Sequence, residues 1–288
     1  MSAAVNAFGD PLGPRGRRRA LVASVVSGLV VLVLLYLAYR RLSDRGQLDA
    51  RRWEELLSGE GLEFLATGLV NTVRVAAVAI VTSLAVGTVV ALGRLSRLAP
   101  VRWVATTYVQ LFRALPSLLL IIFSFYGLNQ LFIDQGSATR VSAEVAIVLG
   151  LTLYNSAVIA EVVRAGVRSL PRGQSEAASA LGLRRGQAQR FVLLPQAFLR
   201  MLPALVSQAV TTLKDTAYGT VIGFDDLLRR GQLAGETTRS PLQGLVLAAV
   251  GYIVLCFVVS QVAAYLERRV TRRFGGRAQV TGVEDVTT

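Results

Sequence analysis

The sequence predicts an all-α integral membrane protein with about six transmembrane helices, and three observations lead there. Five runs free of charge, at positions 20–39, 75–93, 114–133, 145–160 and 240–266, approach or exceed the roughly 20 residues a helix needs to cross the hydrocarbon. The 288 residues are 53% hydrophobic yet carry a net charge of +13, a pairing that suits a chain whose charge is confined to its loops. The charge is also lopsided. With the N-terminus inside, 20 arginines fall on that side and 10 on the other, while the acids divide 6 to 11. This is the positive-inside pattern rather than a stripe for nucleic-acid phosphates.

Taken in order, residues 1–19 read as a disordered basic cytoplasmic tail with Arg15, Arg17, Arg18 and Arg19 against the first span. The run at 20–39 exceeds the 7–15 residues of a cleaved signal, and Tyr39-Arg40-Arg41 is no small-residue cleavage site, so it is a retained anchor. The rest of the segment 20–67 is an outer stretch of mixed charge, with Trp53 and Phe64 at headgroup level. The second span follows, and Arg74 near its outer end is placed to snorkel toward water, a substrate role being the alternative. The basic, aromatic link 97–113 runs along the inner face, and Pro116, which lacks an amide donor, opens the third span.

The fourth span ends in Glu161 and Arg164, three apart on one helix side; they pair with each other, or form a strut. Next comes a long basic insert, 171–203. Gly182 and Gly186, each costing about 1 kcal/mol inside a helix, break it into two short helices, a bent elbow. A sixth span at 201–224 is interrupted by Lys214 and Asp215, and it is required if both termini are to share one side. Neighbours on a helix point about 100° apart, so this pair does not neutralise itself. Each charge, costing at least ~2.5 kcal/mol at membrane depth, needs another helix or a wet cavity. The alternatives are a clamp between spans and a translocation path in which Lys214 suits an anionic substrate. Asp225, Asp226, Arg229 and Arg230 form a charged outer surface able to receive a partner, and 275–288 is a cytoplasmic tail.

Absences narrow the chemistry. Histidine is missing, Cys256 is the sole cysteine, and Leu213 stands before the sole lysine where a phosphate-binding loop needs glycine. The chain is therefore expected to be no enzyme, to bind no metal, and to leave any ATP hydrolysis to a partner.

One arrangement is specific. Glu176-Ala177-Ala178 is followed after three residues by Gly182 and nine residues later by Val192-Leu193-Leu194-Pro195. This resembles the EAA loop of ABC importer permeases, with Val192 in place of the usual isoleucine. GLVNTVRV at 68–75, ALGRLS at 91–96, YVQLFRALP at 108–116, YNSAVIAEVVRAG at 154–166, LKDTA at 213–217 and YLERR at 265–269 resemble further elements in family order. The resemblance covers 68–274 and is to the polar amino acid branch, with permeases of glutamate uptake the most similar.

It implies a five-helix permease core over 68–274, plus the N-terminal helix. It also implies that Glu176, Ala177, Ala178, Gly182, Leu194 and Pro195 couple to a separate ABC ATPase. Lys214, Asp215, Thr216 and Asn155 would line the substrate path, with Glu161 and Arg164 as coupling struts. The chain itself would bind no cofactor, ATP and Mg being held by the ATPase. The further partners implied are a homologous permease or a second copy, an extracytoplasmic solute-binding protein, an amino acid and the lipid of the plasma membrane. The alternative is a secondary transporter driven by an ion gradient, which would need ionisable residues on several spans and an inverted repeat.

Overall fold

The computed structural model describes residues 13–136 and 138–275, and all regular structure among them is helical. In chain order the helices are α1 (Pro14–Asp44), α2 (Arg51–Glu54), α3 (Gly59–Arg94), α4 (Ala99–Ala114), α5 (Ser117–Ile122) and α6 (Leu128–Asp134), these last two joined by a π turn at Phe123–Gly127. Then follow α7 (Ala143–Arg168), α8 (Arg172–Ala180), α9 (Arg185–Ala188), a π turn at Gln189–Leu193, α10 (Leu194–Asp215), a 3₁₀ turn at Thr216–Ile222, α11 (Leu227–Thr237) and α12 (Pro241–Gly275). Six helices among the described residues are long and apolar enough to cross a membrane. They are Pro14–Asp44, Gly59–Arg94, Ser117–Asp134, Ala143–Arg168, Gly186–Ile222 and Pro241–Arg269.

Two units divide the chain, residues 1–55 and 56–288. In the first, α1 opens with a proline at its first turn and is apolar all round from Leu21 to Tyr39, as a lipid-solvated helix should be. Residues 14–19, expected in a disordered tail, already belong to α1. The rest of that tail, and 276–288, lie outside the described residues.

In the second unit, Ser58 starts α3 by accepting the amide of Gly61 (3.2 Å), so 59–67, expected in the outer segment, are continuous helical turns of the span. The buried face of α3 runs through Gly68, Thr72, Ala76, Ala79, Ser83, Gly87 and Ala91, a stripe of small residues at three- and four-residue steps. Such a stripe lets helices approach where lipid, as apolar as leucine, supplies no hydrophobic drive. Its outer end, Gly68 and Thr72, meets the start of α11, and the rest faces α7, capped by Ser142 on the amide of Val145 (3.3 Å). At Gly87 the approach is closest: a Cβ there would lie 2.8 Å from the Ile159 side chain and from the Ser156 carbonyl oxygen. Thr82 and Thr152 share a 2.6 Å hydroxyl hydrogen bond across the same seam.

Around α7 gather two apolar clusters. One holds Ala91, Val109, Ala160, Val163, Ala197 and Met201; the other holds Val75, Ala79, Ile121, Ile147, Leu151 and Phe224. At the first cluster α4 crosses α3 and α7, burying Ala105 and Val109 and setting the Tyr108 hydroxyl 2.7 Å from that of Ser156. The expected link along one face is thus a packed helix. It stops at Leu115, whose extended backbone is the one a following proline favours. The fourth span, expected to end in the stretch holding Glu161 and Arg164, continues as helix to Arg168, the two side chains pairing with each other inside it.

Replacing Gly87 by Leu overpacks the α3–α7 seam and should cost about 1–3 kcal/mol, read as a lower melting temperature of the detergent-solubilised protein. Gly28→Leu, at a position with nothing within 4 Å, should leave the melt unchanged.

Candidate functional site

The insert after α7 folds as an elbow. Pro171 precedes α8, and α8 ends in a hydrogen-bonded turn in which the amide of Gly182 reaches Ser179 (3.0 Å) and that of Leu183 reaches Ala178 (3.1 Å). Gly182 has φ +76°, and a Cβ there would meet nothing within 4 Å. Its glycine therefore answers to the left-handed backbone, not to a close neighbour in this chain. Gly186, expected to break the insert together with Gly182, sits inside α9 instead. The Gln187 side chain accepts the Arg184 amide (2.9 Å) and so supplies a start signal that outweighs one helical glycine.

From α9 the helix runs through the π turn into α10. An ordinary α-helix would set the Pro195 ring against the carbonyl of Phe191. The π turn, which includes Phe191, widens the helix just there. Of the predicted coupling residues, Glu176, Ala177, Gly182 and Pro195 are exposed and Leu194 is half-buried. Ala178 is the departure: at 2% exposure it packs into its own chain and presents nothing to a partner. Leu181, 81% exposed, and Phe191, 65% exposed, are large apolar groups beside the elbow that the sequence reading passed over.

Two hydrogen bonds tie the elbow to the spans: Gln196 on α10 donates to Gln174 on α8 (3.2 Å), and Arg200 on α10 donates to the Ser169 carbonyl at the end of α7 (2.7 Å). One level deeper stands Glu161. Its carboxylate accepts from Arg164 on its own helix, with Nε at 3.1 Å, and from Arg94 at the end of α3. Arg113 of α4 lies 3.9 Å away. The expected pair is therefore a four-residue node joining α3, α4 and α7. The partners Arg94 and Arg113 are 67 and 48 residues upstream, beyond any helical spacing rule.

Lys214 is exposed and Asp215 half-buried, and neither forms an ion pair among the described residues. Within one chain they clamp no spans together. Thr216 is buried and donates to the Leu213 carbonyl (2.7 Å). Asn155 is buried too, donating to Leu151 (2.9 Å) and accepting from Gln208 of α10 (2.5 Å), so it ties α7 to α10. Arg74, expected to snorkel alone, is bonded to Glu144 of α7 at 2.6 Å.

The expected charged surface at 225–230 needs correction. Asp226 is fully buried, caps α11 through the Arg229 amide (2.8 Å), and accepts from Tyr252 (2.8 Å) and Thr220 (3.1 Å). Burial pushes its carboxyl above the usual range, against these hydrogen bonds, which favour the ionised form. Arg230 lies over the Phe64 ring (4.3 Å) and pairs with Asp225 (3.3 Å). Among the described residues no group of three His, Cys, Asp or Glu stands together as a metal site.

Comparison with known proteins meets this geometry. The family model described as binding-protein-dependent transport system inner membrane component matches residues 71–272. The glutamate transport system permease protein GluD of Corynebacterium glutamicum is 39% identical over 239 residues, covering 83% of this chain and 85% of its own. The arginine transport system permease protein ArtQ of Bacillus subtilis is 35% identical, covering 72% and 93%. Among solved structures, an amino acid ABC transporter with histidines superposes with a TM-score of 0.66 at 30% identity, covering 73% of this chain and 95% of that one. The methionine ABC transporter MetNI, at 22% identity and a TM-score of 0.62, shares the fold.

Glu161→Ala should strip the node and leave the mostly buried Arg94 unpaired, lowering stability by about 2–3 kcal/mol in a thermal melt. Arg113→Ala, at a longer and half-exposed contact, should cost less than about 1 kcal/mol.

Proposed function

Since the chain belongs to the family of binding-protein-dependent transport system inner membrane components, the membrane subunits of ABC importers, we propose that it carries acidic amino acids through the bilayer and takes its drive from a separate ATPase bound at α8. Members of this family work with ABC ATPases and solute-binding proteins, which leaves the gradient-driven alternative without support. The observation that carries the proposal is the elbow. An exposed helix, with Glu176, Ala177, Ala180 and Leu181 outward, buries Ala178 within its own chain and is tied to α10 by the Gln174–Gln196 bond.

The mechanism follows from that rigidity. A partner closing on α8 pushes a body that cannot bend away from the spans. Its displacement passes along the continuous helix from Arg185 into α10, and through Arg200 into the end of α7. The Glu161 node carries it on to α3 and α4. ATP and Mg belong to the ATPase, and this chain supplies no chemistry to the substrate. Two such permeases, as copies or homologues, enclose the path, with both termini and α8 on the cytoplasmic side, where arginine is concentrated.

For the substrate, the exposed and unpaired Lys214 offers an ammonium to a side-chain carboxylate, and GluD and GltK are named for glutamate and for glutamate and aspartate. Thr216 and Asn155 lie near this path but are committed to internal bonds, so they shape it from behind.

In the reconstituted complex, glutamate and aspartate should compete for uptake and arginine should not; arginine competing best would remove the acidic assignment. Lys214→Ala should reduce glutamate uptake while the ATPase still co-purifies. Gly182→Val forces a branched side chain into the left-handed turn, at more than the ~1–2 kcal/mol an ordinary residue loses there. It should lower ATP-driven uptake about tenfold with membrane insertion intact, and normal uptake would contradict docking at this elbow.

A further inference from the structure

Beside the elbow lies a cavity of about 680 Å³ that the transport reading does not use, between the α3–α4 turn, the end of α7 and α8. Arg94, Arg97, Arg102 and Arg168 line it, and no acidic residue does. Arg94 is engaged by Glu161. Arg97 and Arg168 are exposed and form no ion pair among the described residues, and Arg102 makes only a long bond, 3.4 Å, to the Ser96 carbonyl. Three cations thus converge without a counter-charge, and like charges held together are costly unless an anion joins them.

The same α3–α4 turn carries a second, apolar groove of about 430 Å³, formed by Val89, Val90, Gly93, Val101, Val104 and Tyr108. Trp103, 74% exposed, stands next to Val104 on α4, the amphipathic placement of an indole at a membrane interface. A basic pocket for a headgroup and an apolar groove for a chain, on one turn of a membrane protein, match one ligand chemistry.

We propose that this turn binds an anionic phospholipid, its phosphate among Arg97, Arg102 and Arg168 and an acyl chain along the α3–α4 groove. The inference rests on the orientation proposed above, which puts the turn in the cytoplasmic leaflet, where anionic headgroups attract basic residues. The lipid and the ATPase do not compete for one surface. Ser175 and Ser179, which line the cavity, lie about 200° round α8 from the outward Ala177. Lipid bound here braces the turn that α3, α4 and the Glu161 node share, and so makes transport sensitive to bilayer charge.

The test uses the complete importer in nanodiscs containing equal phosphatidylglycerol and phosphatidylcholine, extracted into neutral detergent, with lipid retained per chain measured by mass spectrometry. Wild type should keep phosphatidylglycerol in preference to phosphatidylcholine. Arg97→Gln, Arg102→Gln and Arg168→Gln should weaken that retention about fivefold each. The triple Arg→Lys variant, keeping the charge, should hold it. Equal retention by the triple Gln variant would overturn the proposal, and so would displacement of the lipid by excess inorganic phosphate, which would make the site one for a soluble anion. ATPase co-purification is scored in parallel. Its absence from wild type would count against the transport reading alone, because lipid retention is read on this chain.

Discussion

Close approach of α3 and α7 is the constraint on which the remaining helices depend. In lipid, two apolar helices gain little by leaving the acyl chains, so association rests on backbone proximity and on the few polar groups that bridge it. The inner part of the small stripe, around Gly87, provides the first. Thr82–Thr152 provides the second across the seam itself, while Tyr108–Ser156 and Asn155–Gln208 do the same between α4 and α7 and between α10 and α7. Interhelical bonds of this kind average about 0.6 kcal/mol each. Together they are worth little more than one well-packed side chain, so their part is to set register while packing supplies the stability.

A seam that cannot slide makes the rest of the mechanism possible. If α7 could shift against α3, a push on α8 would be absorbed at the first turn of the bundle. The Glu161 node prevents this at the level where the push arrives, with arginines from two other helices converging on one carboxylate. Arg200 and Gln196 tie α10 to the same place from the other side. The exposed face of α8 is therefore mounted on a triangulated base, and the unpaired Lys214 lies at the far end of the helix so driven.

Much of this was legible in the sequence, and most of the failures share a cause. Span number, the elbow and its break at Gly182 follow from local patterns: uncharged runs, a glycine flanked by helix-formers, a proline after an extended residue. What escaped depended on partners far along the chain. Arg94 and Arg113 had no sequence relation to Glu161, nor Gln208 to Asn155, nor Glu144 to Arg74. Asp226 looked like surface charge because four ionisable residues sit close together, yet Tyr252 and Thr220 draw it inside. Gly186 misled because its propensity was read without the Gln187 cap. Two signals were available and missed: the small stripe of α3, at regular three- and four-residue steps, and the large apolar Leu181 and Phe191 in the basic insert.

The central claim is that α8 and its bundle move as one body. With Cys256 replaced by serine, spin labels at Ala180 on α8 and Ala204 on α10, both exposed, report on it within a single permease of the full complex. Their separation should stay the same within about 2 Å between the nucleotide-free and ATP-bound states, while the Ala180 labels of the two permeases approach one another. A change of several ångströms between Ala180 and Ala204 on ATP binding, with the spans of the two permeases unmoved, would contradict the account.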